Sequence, residues 1–195
     1  SFFLHYNWNH ILTMRKRAKL SIFIFFLLSV SGNLFGQKGT TFPSLTGKTL
    51  TNQTVTIPID TKNKFTILAI AYSPKSDKDL NGWIQPIYET FLDKTVLFSY
   101  DVNMYFIPMI GGMKQMAGEK IEQRLKAGID KELHNNVLVY QGSVADYKNS
   151  LNFDGKDKPY FFILDTSGKI VYVTSGEYSD KKLEEIEDIL YDVME

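Results

Sequence analysis

The chain contains no cysteine. That excludes thiol–disulfide exchange, cysteine peroxidase chemistry and CxxxC copper transfer, because each uses a thiolate as nucleophile or ligand. Histidine is nearly as scarce: beyond residue 36 only His134 remains, too few for a zinc site without thiolates. No apolar run reaches the roughly 20 residues that span a bilayer. There is no internal repeat, low-complexity tract, G-x-S-x-G elbow or phosphate-cradling glycine loop. Net charge is also missing, with 22 basic and 22 acidic side chains. This balance hides an asymmetry. The four basic residues before Gln37 (Arg15, Lys16, Arg17, Lys19) have no acidic counterpart there, leaving 18 against 22 and a net charge of −4 for the remainder. Such a balance carries no nucleic-acid footprint.

What is present divides the chain into three. Met14 to Gly36 has the parts of an export signal: a basic start, an apolar stretch from Leu20 to Val30, and a small-residue exit around Ser31–Gly36. Cleavage near Gly36 is expected, giving a bacterial periplasmic or secreted protein whose membrane contact would run only through this segment if uncleaved. Ser1 to Thr13, upstream of Met14, reads as a non-native extension from a start placed too early. Gln37 to Glu195 reads as one globular α/β domain.

Within that domain, Phe65–Ala71 is an apolar run rich in β-formers, as expected of a strand covered on both faces. It enters the turn Ser73-Pro74-Lys75-Ser76. Leu80, Trp83, Ile84, Ile87, Tyr88, Phe91 and Leu92 then mark an amphipathic helix, with Asp77 or Asp79 as N-cap and a kink at Pro86. Phe42–Asp60 predicts an N-terminal β-hairpin at a sheet edge. Val96–Ile107 predicts a second central strand broken by Pro108–Gly112, followed by a long helix from Met113 to Leu133, weakened at Gly118 and Gly128. Val137–Tyr140 predicts a third strand and Val144–Leu151 a short helix or turn. Tyr160–Asp165 and Ile170–Ser175 predict an antiparallel pair. Ser179 then caps a last helix with Leu183, Ile186, Ile189, Leu190 and Val193 on its core face.

A strand ending in Ser73-Pro74-Lys75-Ser76, a helix carrying Pro86, and Lys158-Pro159-Tyr160-Phe161-Phe162-Ile163-Leu164-Asp165 leading into a strand pair resemble the thioredoxin superfamily. The likeness runs from Phe42 to the C-terminus. FPSLTGKTL, IPMI with its following helix, and LDTSGKIVYVTSGEYS narrow it to the thioredoxin-like mitochondrial ATP synthase assembly factors and their bacterial relatives. The resemblance implies a three-layer fold, a central mixed sheet with helices on both faces and an N-terminal β extension. It also implies a cis-proline at Pro159 beside the active-site turn and an assembly or holdase role; with no cysteine that role is redox-inactive, and no cofactor is expected. Ser73 and Ser76 stand at the C-x-x-C spacing. On this reading Ser73, Pro74, Lys75, Ser76, Asp77, Trp83, Lys158, Pro159 and Tyr160 line a vestigial groove that takes a protein or peptide partner.

Two other chemistries compete. Ser73 or Ser76 could serve as nucleophile in a non-cysteine enzyme, with His134 as the available base; the plainer role of both serines is to cap the helix or turn. Met104, Met109, Met113 and Met116 could offer thioethers to Cu(I), the last three at i, i+4 and i+7 if the helix begins early. Methionine is otherwise a core filler, and Gly111-Gly112 oppose that continuity.

Overall fold

The computed structural model describes residues 37–93, 100–111 and 115–194. The proposed signal and upstream extension lie outside them, as do Met113 and the first part of the expected strand at Val96.

Seven strands form one mixed sheet: β1 (Leu45–Thr49), β2 (Thr54–Ile57), β3 (Thr66–Ala71), β4 (Asn103–Ile110), β5 (Leu138–Gln141), β6 (Tyr160–Leu164) and β7 (Ile170–Ser175), in the order β2-β1-β5-β4-β3-β6-β7. β3, β4 and β5 run parallel; every other pairing is antiparallel. The apolar run that opens the central pattern is β3, with all six residues buried. β6 is likewise buried throughout, as its uninterrupted YFFIL requires. β1 alternates buried and exposed residues and belongs to a half-covered hairpin. Gly47 lets that hairpin join the sheet: a Cβ there would stand 2.8 Å from the Val139 carbonyl oxygen.

Helices α1 (Pro74–Ile87), α2 (Gln115–Gly128) and α4 (Asp180–Met194) share one apolar layer with Ile67, Ala69, Phe106, Phe161 and Ile163. The other layer gathers α3 (Ala145–Ser150), Phe42 and the hairpin residues against Leu68, Ile70, Ile107, Phe162 and Leu164. Alternate residues of the same strands thus feed two cores. Ser179 caps α4 as expected, and Ile186 and Leu190 are fully buried beneath it.

The structure corrects several boundaries. β4 does not stop before Pro108 but runs through it to Ile110. Pro108 falls opposite Ala71, the last pair of the β3 ladder, where a missing N–H costs least. The long helix expected to Leu133 ends at Gly128. A separate 3-10 turn, Lys131–Leu133, then swings Leu133 into the core. Pro86 removes one helical hydrogen bond, and the next turn, Tyr88–Leu92, widens into a π-helix. The only cis peptide among the described residues precedes Pro58, so the bond before Pro159 is trans. Pro159 is buried and its carbonyl accepts from Gly176 N–H (2.9 Å), so the backbone expected to be free for a peptide is already paired.

Candidate functional site

The site is built where β3 meets α1. Neither Asp77 nor Asp79 caps that helix. Ser73 does, accepting from Ser76 N–H at 3.2 Å, while Ser76 Oγ accepts from the backbone N–H groups of Ser73 (3.0 Å) and Tyr72 (3.1 Å). Serine at Ncap and N3 forms a reciprocal capping box, and Pro74 occupies the first helical position, where its absent N–H is no loss. Both hydroxyl protons have carbonyl acceptors: Ser73 Oγ donates to Lys156 O, and Ser76 Oγ to Ser73 O (3.0 Å). Ser76 is completely buried.

This arrangement does not pair either serine with His134. His134 precedes β5, at the end of the sheet where the parallel strands begin, and its Nε2 lies 3.0 Å from Ile129 O; Ser73 follows β3, at the opposite end. Of the four methionines, Met104 and Met109 are described with their side chains. Met109 is a buried β4 residue paired with Tyr140, and Met104 lies in the other core layer from it; Met113 and the Met116 side chain lie outside what is described.

The expected groove residues separate. Ser73, Pro74 and Asp77 line a cavity of about 550 Å³ between α1, β4, α2 and the 3-10 turn, reached over the end of the sheet by Lys148 of α3 and Lys156 of the following loop. Trp83 does not: it is fully buried on the far flank of α1, its ring 4.2 Å from that of Phe161, with Nε1 donating to Gly176 O at 3.0 Å. Lys158, Pro159 and Tyr160 do not line the cavity either, and Tyr160 packs in the other apolar layer. Lys158 pairs with Asp154 (2.9 Å) and Tyr160 Oη donates to Asp154 Oδ1 (2.6 Å). The Lys158 and Tyr160 hydrogen bonds hold the Asp154 carboxyl below its ordinary pKa, and burial drives the Tyr160 phenol up. A stack of Tyr72, Phe153 and Tyr160 fastens the Asn152–Lys158 loop beneath the Ser73 turn.

The cavity is strongly polarised. One end gathers Tyr72, Ser73, Asp77, Lys148 and Lys156; the rest of the lining is apolar save Asn81, and includes Leu80, Ile84, Phe106, Ile121, Leu125 and Leu133. Lys148 Nζ lies 5.4 Å from the Tyr72 ring centroid. Asp77 is exposed as a residue, yet its carboxyl is crowded enough for desolvation to raise its pKa. Sequence reasoning missed this cavity because its walls come from segments as distant as Ile84 and Leu133. The sparse apolar residues of α2 were the one available signal.

Residues 33–190 match the family model described as ATP10 protein. The chain belongs to the ATP10 protein family. Its fold is thioredoxin-like, without the cysteines of a C-x-x-C. Solved structures agree on that fold. The exposed lipoprotein thioredoxin Etrx1 of Streptococcus pneumoniae is similar at 16% identity over 77% of this chain and 99% of that one, with a TM-score of 0.52. A Chlorobium tepidum protein assigned as the thiol:disulfide interchange protein DsbE is similar at 15% identity, covering 79% and 96%, with a TM-score of 0.51. No curated protein sequence matches the chain.

Proposed function

We propose that this ATP10-family protein is a redox-inactive assembly factor that holds a protein partner non-covalently at the end of the sheet where α1 begins. The observation that carries this reading is the Ser73–Ser76 capping box. At the spacing where thioredoxin-like enzymes keep two thiols, both hydroxyls are committed to structural hydrogen bonds, so this end of the fold retains shape without reactivity. Membership of the family supports a role in assembly. The segment 14–36 supports export before function, and N-terminal sequencing of the protein recovered from the envelope should then begin near Gln37.

A photo-crosslinking residue at Lys75, exposed beside the turn, tests the docking face. Lys62, exposed before β3 at the opposite end of the sheet, is the control. One polypeptide captured reproducibly from Lys75 and not from Lys62 supports the reading. Equal capture from both positions, or none, removes it.

A further inference from the structure

The cavity between α1 and α2 has a ligand chemistry of its own, independent of the protein-holding role. We propose that it binds a single-chain amphiphile with an anionic head, a long-chain carboxylate, with its head at Lys148 and Lys156 and its chain along Ile84, Leu125 and Leu133.

Size, polarity and charge converge on this class. About 550 Å³ lies within the ordinary range of small-molecule sites. The polar groups are gathered at one end, where neither Lys148 nor Lys156 makes an ion pair among the described residues. The N-terminus of the 14-residue α1 opens at the same end, adding positive potential from its aligned peptide dipoles. Asp77 lines the same cavity and opposes an anion there, so its neutralisation is part of the test.

The apolar end distinguishes a hydrocarbon chain from a peptide. An extended peptide would bring an N–H and a C=O with every residue, and away from the lysines Asn81 alone of the lining has a polar side chain to meet them. A helix about 10 Å across would exhaust the volume in roughly 7 Å of its length, little more than one turn. An alkyl chain carries no polar group to strand.

The purified full chain, stripped of lipid, would be titrated with the fluorescent long-chain carboxylate cis-parinaric acid and challenged with saturated fatty acids of increasing length. Saturable one-to-one binding is expected, strengthening roughly three- to fourfold per added methylene until the cavity is filled. The combined exchange Lys148→Glu and Lys156→Glu, at two exposed positions, should weaken it about tenfold. Asp77→Asn should tighten it, and Leu125→Trp should block it. Folding of each variant is checked by its urea midpoint. Absence of saturable binding by the folded protein would overturn the proposal. So would equal affinity for the fatty acid and its methyl ester, indifference to the lysine reversals, or preference for a two-chain phospholipid.

Discussion

The two flanks of α1 differ in how they are filled. Toward α4, Trp83 lies on Phe161, meets Tyr178 edge-on with ring centroids 5.3 Å apart, and is fully buried. Toward α2, Ile84 and Leu80 border open volume over Phe106. Both flanks are apolar, so hydrophobicity does not separate them. Side-chain supply does. Among the described side chains, α4 brings Leu183, Ile186, Ile189 and Leu190 to the layer and α2 brings Ile121 and Leu125, while the buried Gly118 of α2 closes on the Gln141 side chain without adding bulk. One flank supplies stability, and the other leaves room for a ligand.

Trp83→Ala should produce the largest effect, a loss of about 3–5 kcal/mol measured by urea unfolding, since it empties the filled flank. Enlarging residues separates the flanks more sharply. Ala69→Leu, in the closed core, should cost about 1–3 kcal/mol, whereas Ile84→Phe, beside the cavity, should change stability by less than about 1 kcal/mol. Equal penalties for the two would mean that both flanks are packed alike.

Ser73→Ala should cost about 1 kcal/mol through the lost cap and leave the fold intact by circular dichroism. On the opposite sheet face, burial pushes Tyr147 up to about 12; Tyr172, on the edge strand beside α4, reaches about 12 through burial and its hydrogen bond to Glu185. Their neutral forms are favoured in the folded state, so the stability they contribute is complete below the ordinary tyrosine value near 10 and is lost as pH rises toward 12. Ultraviolet titration should show late phenols, with Tyr147 and Tyr172 among them, and the loss of one in each of Tyr147→Phe and Tyr172→Phe would assign those two. The smallest effect belongs to Asp77. Its raised pKa means that the folded state favours the neutral acid, so stability is greatest below the ordinary carboxyl range and falls as pH rises through the folded value. Asp77→Asn should therefore stabilise the protein by a fraction of a kcal/mol at pH 7, with the gain vanishing near pH 3.

These contrasts also mark what the chain makes legible. β3 and β6 are plain because both faces are buried and their residues form unbroken apolar runs. The capping serines fit the plainer of their two roles, a local matter of spacing before an amphipathic helix. The breaks were harder. Pro108 and Gly128 are the same kind of punctuation, yet the first is absorbed at the end of the β3 ladder by its register and the second terminates a helix. Trp83 could not be assigned to groove or core from its position in the helix, because one helical stripe serves two flanks. The cavity is less local still: its lining is drawn from residues between Tyr72 and Lys156, brought together only by the fold.

Xenon-dependent methyl NMR shifts are the most direct test of the two-flank contrast, since xenon enters apolar cavities that persist in solution. Saturable shifts are expected at Ile84, Ile121, Leu125 and Leu133, with none at Ile163 and Ile186. Equal shifts on both flanks, or none on either, would contradict it.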